Sequence, residues 1–193
     1  MNTNSKKIDI ERQIKRTPKT QKEAIQRLLQ EQYGYIEKEK KFEWLKTPNM
    51  DQLPKEYLPI VEALSQYRNQ TGFQKSKRKL SCDFFLEEHK LIIEYDERQH
   101  FSKARQITLE NYPADVNLYF SKSDWISACE KINAKDNDPI DRDEKRAFYD
   151  TLRDIEAARH GYKLVRIKHG DIDWEADKAE IYFNKLINTT KNE

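Results

Sequence analysis

Residues 80–100, "LSCDFFLEEHKLIIEYDERQH", restrict the fold of this chain more than any other stretch. Residues 80–87 and 91–96 are rich in aromatic, aliphatic and β-branched side chains, and "EHK" between them leaves room only for a tight turn. The spacing predicts an antiparallel hairpin with strands at about 80–87 and 91–96. The second strand opens on Leu91, Ile92 and Ile93, which belong in a core. It then runs into Glu94, Asp96, Glu97, Gln99 and His100. A carboxylate in a core is costly unless it is paired, hydrogen-bonded or bound to a cation. The strand therefore either emerges into solvent at this end or carries a polar site there.

Around the hairpin the pattern is mostly helical. "TQKEAIQRLLQEQYG" predicts a helix with Thr20 and Glu23 as a capping box, Ala24, Ile25, Leu28 and Leu29 on one face, and Gly34 as the stop. "YIEKEKKFEWL" reads equally as charged strand or loop. "PKEYLPIVEALSQYRNQTG" predicts a second helix that turns Tyr57, Ile60, Val61 and Leu64 inward and ends at Gly72. "SKARQITLENY" and "SKSDWISACEKIN" predict short helices capped by Ser102 and by Ser121 or Ser123. The longest helix is expected in "PIDRDEKRAFYDTLRDIEAARHG", with Pro139 near its start, Gly161 past its end and a stripe of Phe148, Leu152, Ile155 and Ala158. "YKLVRI" is a third clear strand and "WEADKAEIYFNKLIN" a closing helix. The order α, (β), α, β, β, α, α, α, β, α describes an α/β chain of the α+β kind. Its 193 residues suit a single domain spanning 1–193. Within it, 1–18 reads as a loose basic lead, 19–78 as a helical basic part, and 79–193 as the core with a helical insertion at about 102–138.

No apolar run approaches the roughly 20 residues that cross a membrane. The opening "MNTNSKKIDIERQIKR" lacks the apolar stretch of a secretion signal. Cys82 and Cys129 make neither a disulfide framework nor a zinc spacing, so a reducing cytoplasm is the expected compartment. The net charge of +2 conceals an asymmetry. Residues 1–80 hold 18 Lys and Arg against 10 Asp and Glu, whereas residues 81–193 hold 18 against 24. A basic half beside an acidic half suits a polyanion gripped by the first and processed by the second.

Side chains two apart on a strand share a face, so Glu94 and Asp96 should point the same way, with Asp83 across from them on the partner strand. Three carboxylates that close repel, and one keeps its proton unless a divalent cation is bound. Carboxylates, water and a substrate phosphate are what Mg²⁺ or Mn²⁺ prefers. His100 would serve beside such a site as general acid or base. The basic run Lys75, Lys77, Arg78 and Lys79, with Lys38, Lys40 and Lys41, is expected to border the groove leading to the acids. Arg98, Lys103 and Arg105 lie just beyond and are candidate phosphate clamps.

The stretch "CDFFLEEHKLIIEYDERQHF" resembles the core hairpin of the PD-(D/E)XK nuclease superfamily, in the branch around the very short patch repair endonuclease. Asp83-Phe84 matches its first element, Glu94-Tyr95-Asp96 its second and Gln99-His100 its third. "TQKEAIQRLL" matches the helix from which that branch sends a carboxylate, here Glu23, to the active site. "DEKRAFYDTLRDIEAARHGYKLVRI" fits its later helix and strand. The chain departs from the pattern at Asp96, where the superfamily carries lysine, and at Glu97, where a glycine is common. The resemblance implies a restriction-endonuclease-like core: a small mixed sheet, a central β-hairpin and flanking helices. It implies catalysis by Glu23, Asp83, Glu94, Asp96, Gln99 and His100, with Mg (or Mn) on Asp83, Glu94 and Asp96. The expected function is a Mg-dependent DNA endonuclease of restriction, repair-nicking or mobile-element type. RNA remains open as a substrate, and a homodimer is the assembly that double-strand cleavage would need. A catalytically silent DNA-binding module that kept the nuclease fold is the alternative, favoured by the missing lysine. A helical interaction protein without catalysis would need the acids solvent-facing and far apart.

Overall fold

The computed structural model describes residues 17–69, 71–72, 77–176 and 178–189. Among them are six α-helices and a four-stranded sheet. The helices are α1 (Pro18–Tyr33), α2 (Leu58–Arg68), α3 (Lys103–Glu110), α4 (Lys122–Ile132), α5 (Arg142–Arg159) and α6 (Ala179–Thr189). The strands are β1 (Glu37–Lys46), β2 (Lys79–Leu86), β3 (Leu91–Asp96) and β4 (Lys163–Lys168), and they lie side by side in chain order. β1–β2 and β2–β3 are antiparallel. β3–β4 is parallel, which demands the long crossover that α3, α4 and α5 provide. The molecule is thus mixed α/β, and the hairpin occupies the middle of its sheet. The ambiguous segment before α2 is strand β1, at the sheet's edge, where its run of lysines and glutamates stays in water and discourages further pairing.

Alternation along the strands feeds two cores. Leu80, Cys82, Phe85, Ile92 and Leu164 pack under α2, α3 and α5 with Ile60, Leu109, Phe148 and Leu152. Phe84, Leu91, Ile93, Tyr95, Val165 and Ile167 pack under α1 and α6 with Ile25, Leu29, Phe183 and Ile187. All six residues of β3 are buried, as expected for a strand covered on both faces. Ala104 and Leu109 stand in the first core, so α3 is structural rather than peripheral.

Local signals account for most element ends. Ser102 and Ser121 cap α3 and α4 by accepting the amides of Arg105 and Asp124. The capping box at Thr20 and Glu23 does not form. Thr17 is the cap of α1 and Pro18 its first residue, because proline's fixed φ suits the first turn, so the helix starts three residues, nearly a full turn, earlier. Nor does Gly72 end α2: Asn69, at φ 54°, takes the left-handed position. Residues 1–16 of the expected basic lead fall outside the described residues.

Candidate functional site

The site begins with an irregularity in β2. Strict alternation would put Cys82 and Phe84 on one face, yet Cys82 packs under α5 and Phe84 under α1. The change of face falls at Asp83. Opposite it in β1, Glu39 has φ 51°, a left-handed backbone that non-glycine residues adopt at a cost. The β2–β3 register runs Phe84 to Ile93, Phe85 to Ile92 and Leu86 to Leu91. One step further, side chains take over from the ladder. The amide of Asp83 donates to Glu94 Oε1 at 3.1 Å, and the amide of Tyr95 donates to Asp83 Oδ2 at 3.0 Å. The two carboxyl groups are therefore each bonded to the other strand's backbone, where the strands part.

The Asp83 carboxylate turns toward α1. Lys22 Nζ lies 3.0 Å from it and 3.8 Å from Glu97 Oε1. Both acids keep about a quarter of their side-chain surface in solvent. They open into a cleft of about 570 Å³ whose walls also carry Lys19, Glu23, Lys38 and Glu39. Glu23 and Asp83 thus line the same cleft. Gln99 touches the site indirectly, its Nε2 donating to Glu97 Oε2 at 2.6 Å.

Glu94 is buried on the other side of the strand pair, 3.7 Å from Arg153 Nε. Burial pushes its carboxyl up to about 7; Arg153 works against this and the neighbouring Asp83 adds to it. Asp96, expected beside Asp83, shares Glu94's face as alternation requires, but it is committed elsewhere. Arg166 Nη1 donates to Asp96 Oδ1 at 2.5 Å and the Trp125 indole to Asp96 Oδ2 at 2.7 Å. The trio of Asp83, Glu94 and Asp96 does not converge, because Asp83 switches face and Asp96 is neutralised by a buried guanidinium. Among the described residues no three His, Cys, Asp or Glu side chains stand together as a ready-made cage.

His100 also belongs to that buried network. Its Nδ1 lies 2.7 Å from Asp150 and 3.7 Å from Asp96. Burial opposes its protonated form, but Asp150 and then Asp96 outweigh burial and raise its pKa. It is linked to Glu94 through Asp150 and Arg153. Arg105, expected on the surface as a phosphate clamp, is instead fully buried and pairs with Asp154 at 2.6 Å. Arg98 is exposed, and Lys103 is half-buried with its ammonium on Gln106. Lys77, Arg78 and Lys79 are exposed at the start of β2, and Lys79 pairs with Glu43. Lys75 falls outside the described residues. Of the β1 lysines, Lys38 lines the cleft, Lys40 pairs with Glu37 at 2.8 Å, and Lys41 is exposed.

Lys22, Glu39 and Glu97 were not expected from sequence. Glu97 had a signal: it shares the Tyr95 face by alternation, which is the face Asp83 adopts. Lys22 had none, because its meeting with Asp83 joins residues 61 positions apart.

No family model, curated protein or solved structure matches this chain.

The donor set fits a hard cation. Asp83 and Glu97 are oxygen donors gathered around one positive charge, the Lys22 ammonium, and burial leaves Glu94 behind them titrating at about 7. Mg²⁺ commonly takes one or two carboxylates and completes its shell with water and substrate phosphate.

Proposed function

We propose that the cleft at Asp83 is the active site of a Mg²⁺- or Mn²⁺-dependent DNA endonuclease of the PD-(D/E)XK kind. The supporting observation is the meeting of Asp83, Glu97, Glu23 and Glu39 with Lys19, Lys22 and Lys38 in one cleft, at the point where β2 and β3 part. Carboxylates alone would repel a phosphodiester; carboxylates interleaved with ammonium groups bind a cation and a phosphate together.

Asp83 and Glu97 would hold the cation, with Glu94 behind them. A bound divalent ion lowers the pKa of its water and polarises the phosphate. Lys22, paired with Asp83 at rest, would take over the task of the superfamily's missing lysine, meeting a phosphate oxygen or an attacking water. Glu94, titrating near 7, is suited to accept a proton at neutral pH. His100 is a positioning residue, steadying β3 and α5 through Asp96 and Asp150.

The test is cleavage of supercoiled plasmid with Mg²⁺ and with EDTA. Asp83→Asn keeps shape but removes the charge on which the cation rests; turnover should fall by several orders of magnitude with the melting curve preserved. Wild-type cleavage by that variant refutes the proposal. The Lys22–Asp83 ion pair favours a second reading, a silent DNA-binding module in which lysine has replaced the metal. DNA binding with no cleavage in Mg²⁺ or Mn²⁺ would select it.

A further inference from the structure

A second cavity, of about 350 Å³, lies one strand beyond the acids. It is bounded by the start of α4, the end of β4, the loop after β4, and α6. Five aromatic side chains line it: Tyr119, Phe120, Trp125, Trp174 and Tyr182. Phe120 and Trp125 meet at 5.2 Å between ring centres, and Trp174 and Tyr182 at 5.8 Å, so the rings form two walls of a slot. One wall is tied to the sheet, because the Trp125 indole N–H is held by Asp96. The other carries an unspent donor. Trp174 is only 3% exposed, and its indole N–H has no hydrogen-bond partner among the described residues. A buried donor left unmade is costly, and native structures rarely tolerate one without a reason.

Aromatic walls with acidic rims also describe cages for quaternary ammonium groups. The charges here disfavour that occupant. Asp171 is already paired with Lys168 at 2.8 Å, and the Arg166 guanidinium lies 5.7 Å from the centre of the Phe120 ring. The lining sets Arg166 and Lys168 against Asp124 and Asp171, so it offers a cation no net negative charge. A flat, neutral heterocycle with a carbonyl or ring-nitrogen acceptor would instead stack on the rings and accept the Trp174 N–H.

We propose that this cavity receives a single unstacked nucleobase from the nucleic acid bound at the Asp83 cleft. The proposal rests on the nucleic-acid reading of that cleft. β2, which carries Asp83, and β4, which forms the cavity floor, are two strand spacings apart, roughly 10 Å. At about 3.4 Å of rise per nucleotide this is a few nucleotides along one strand. Base extrusion into an aromatic pocket is a general way to read a base in or beside a duplex.

The test is titration of the full chain, in EDTA, with the four deoxynucleoside monophosphates and with tetramethylammonium, followed by tryptophan fluorescence and calorimetry. At least one nucleotide should bind saturably in the millimolar range or tighter, and tetramethylammonium should not. Trp174→Phe keeps the ring and removes the donor, and should weaken that nucleotide by roughly 2- to 12-fold. Tyr182→Ala, at the exposed rim, should weaken it by roughly 5- to 150-fold through lost stacking, and from the core it removes the edge contact with Trp174. Absence of saturable nucleotide binding, preference for tetramethylammonium, or an affinity that neither variant alters would overturn the proposal. EDTA keeps cleavage off, so a negative titration removes the cavity's role and leaves the cleft untested. Failure of Mg²⁺-dependent cleavage, conversely, leaves the titration standing.

Discussion

Glu94→Gln should stabilise the protein above neutrality while disabling the site. Glu94 is buried, accepts the Asp83 amide, and has a carboxyl pushed from 4.5 up to about 7 by burial, with Asp83 adding and Arg153 subtracting. The folded state therefore holds this proton more tightly than the unfolded chain does. The group's contribution to stability is complete below about pH 4.5 and is lost as pH rises through about 7. The difference corresponds to about 3 kcal/mol, an upper figure, at pH 8. A neutral amide of the same shape escapes that loss, although its NH₂ facing Arg153 subtracts from the gain. For a chain of this size about 3 kcal/mol moves the melting point by roughly 6–12 °C. Thermal melts of wild type and Glu94→Gln at pH 5 and pH 8, in EDTA, read the effect directly. The two proteins should melt together at pH 5 and diverge at pH 8 in favour of the variant, whose plasmid cleavage should be severely reduced. A variant that melts no higher than wild type at pH 8 would show that Glu94 is charged in the fold at no cost, and would remove it as the proton acceptor.

Arg166→Met strips the shared partner of Asp96 and Asp154 from the core, and should cost about 3–5 kcal/mol in urea unfolding; Asp154 keeps Arg105, so adding Asp96→Asn should recover part of it. His100→Gln should flatten stability above pH 6.5, because the wild-type imidazolium, held by Asp150, contributes fully below that pH and is lost as pH rises through its raised pKa; parallel stability profiles for the two proteins would refute this. Lys19→Ala with Lys38→Ala should weaken DNA binding at the cleft and lower the salt slope by about 0.9 for each phosphate that is no longer neutralised; an unchanged slope would show that neither lysine meets a phosphate.

Much of the scaffold is legible one element at a time. The hairpin, the capping serines Ser102 and Ser121, and the inward faces of α1, α2 and α5 depend on periods of 2 and 3.6 and on caps, all interactions between near neighbours in the chain. The strand-end acids were legible too, since a carboxylate directly after "LII" has to be accounted for. What only the tertiary structure decided is how those acids are shared. Alternation read through Asp83 sends its carboxylate to the wrong face, because a change of face at β2 and a left-handed Glu39 in the neighbouring strand lie outside any single-strand pattern. Arginines read as surface residues, yet Arg105 and Arg166 are buried, because Asp154, contributed by α5, meets both and repays their desolvation. Lys22 finds Asp83 across 61 residues only once α1 packs on the sheet. Local periodicity determines which residues can face inward; the pairing of their charges is a property of the packed elements, because Coulomb attraction acts through space and not along the chain.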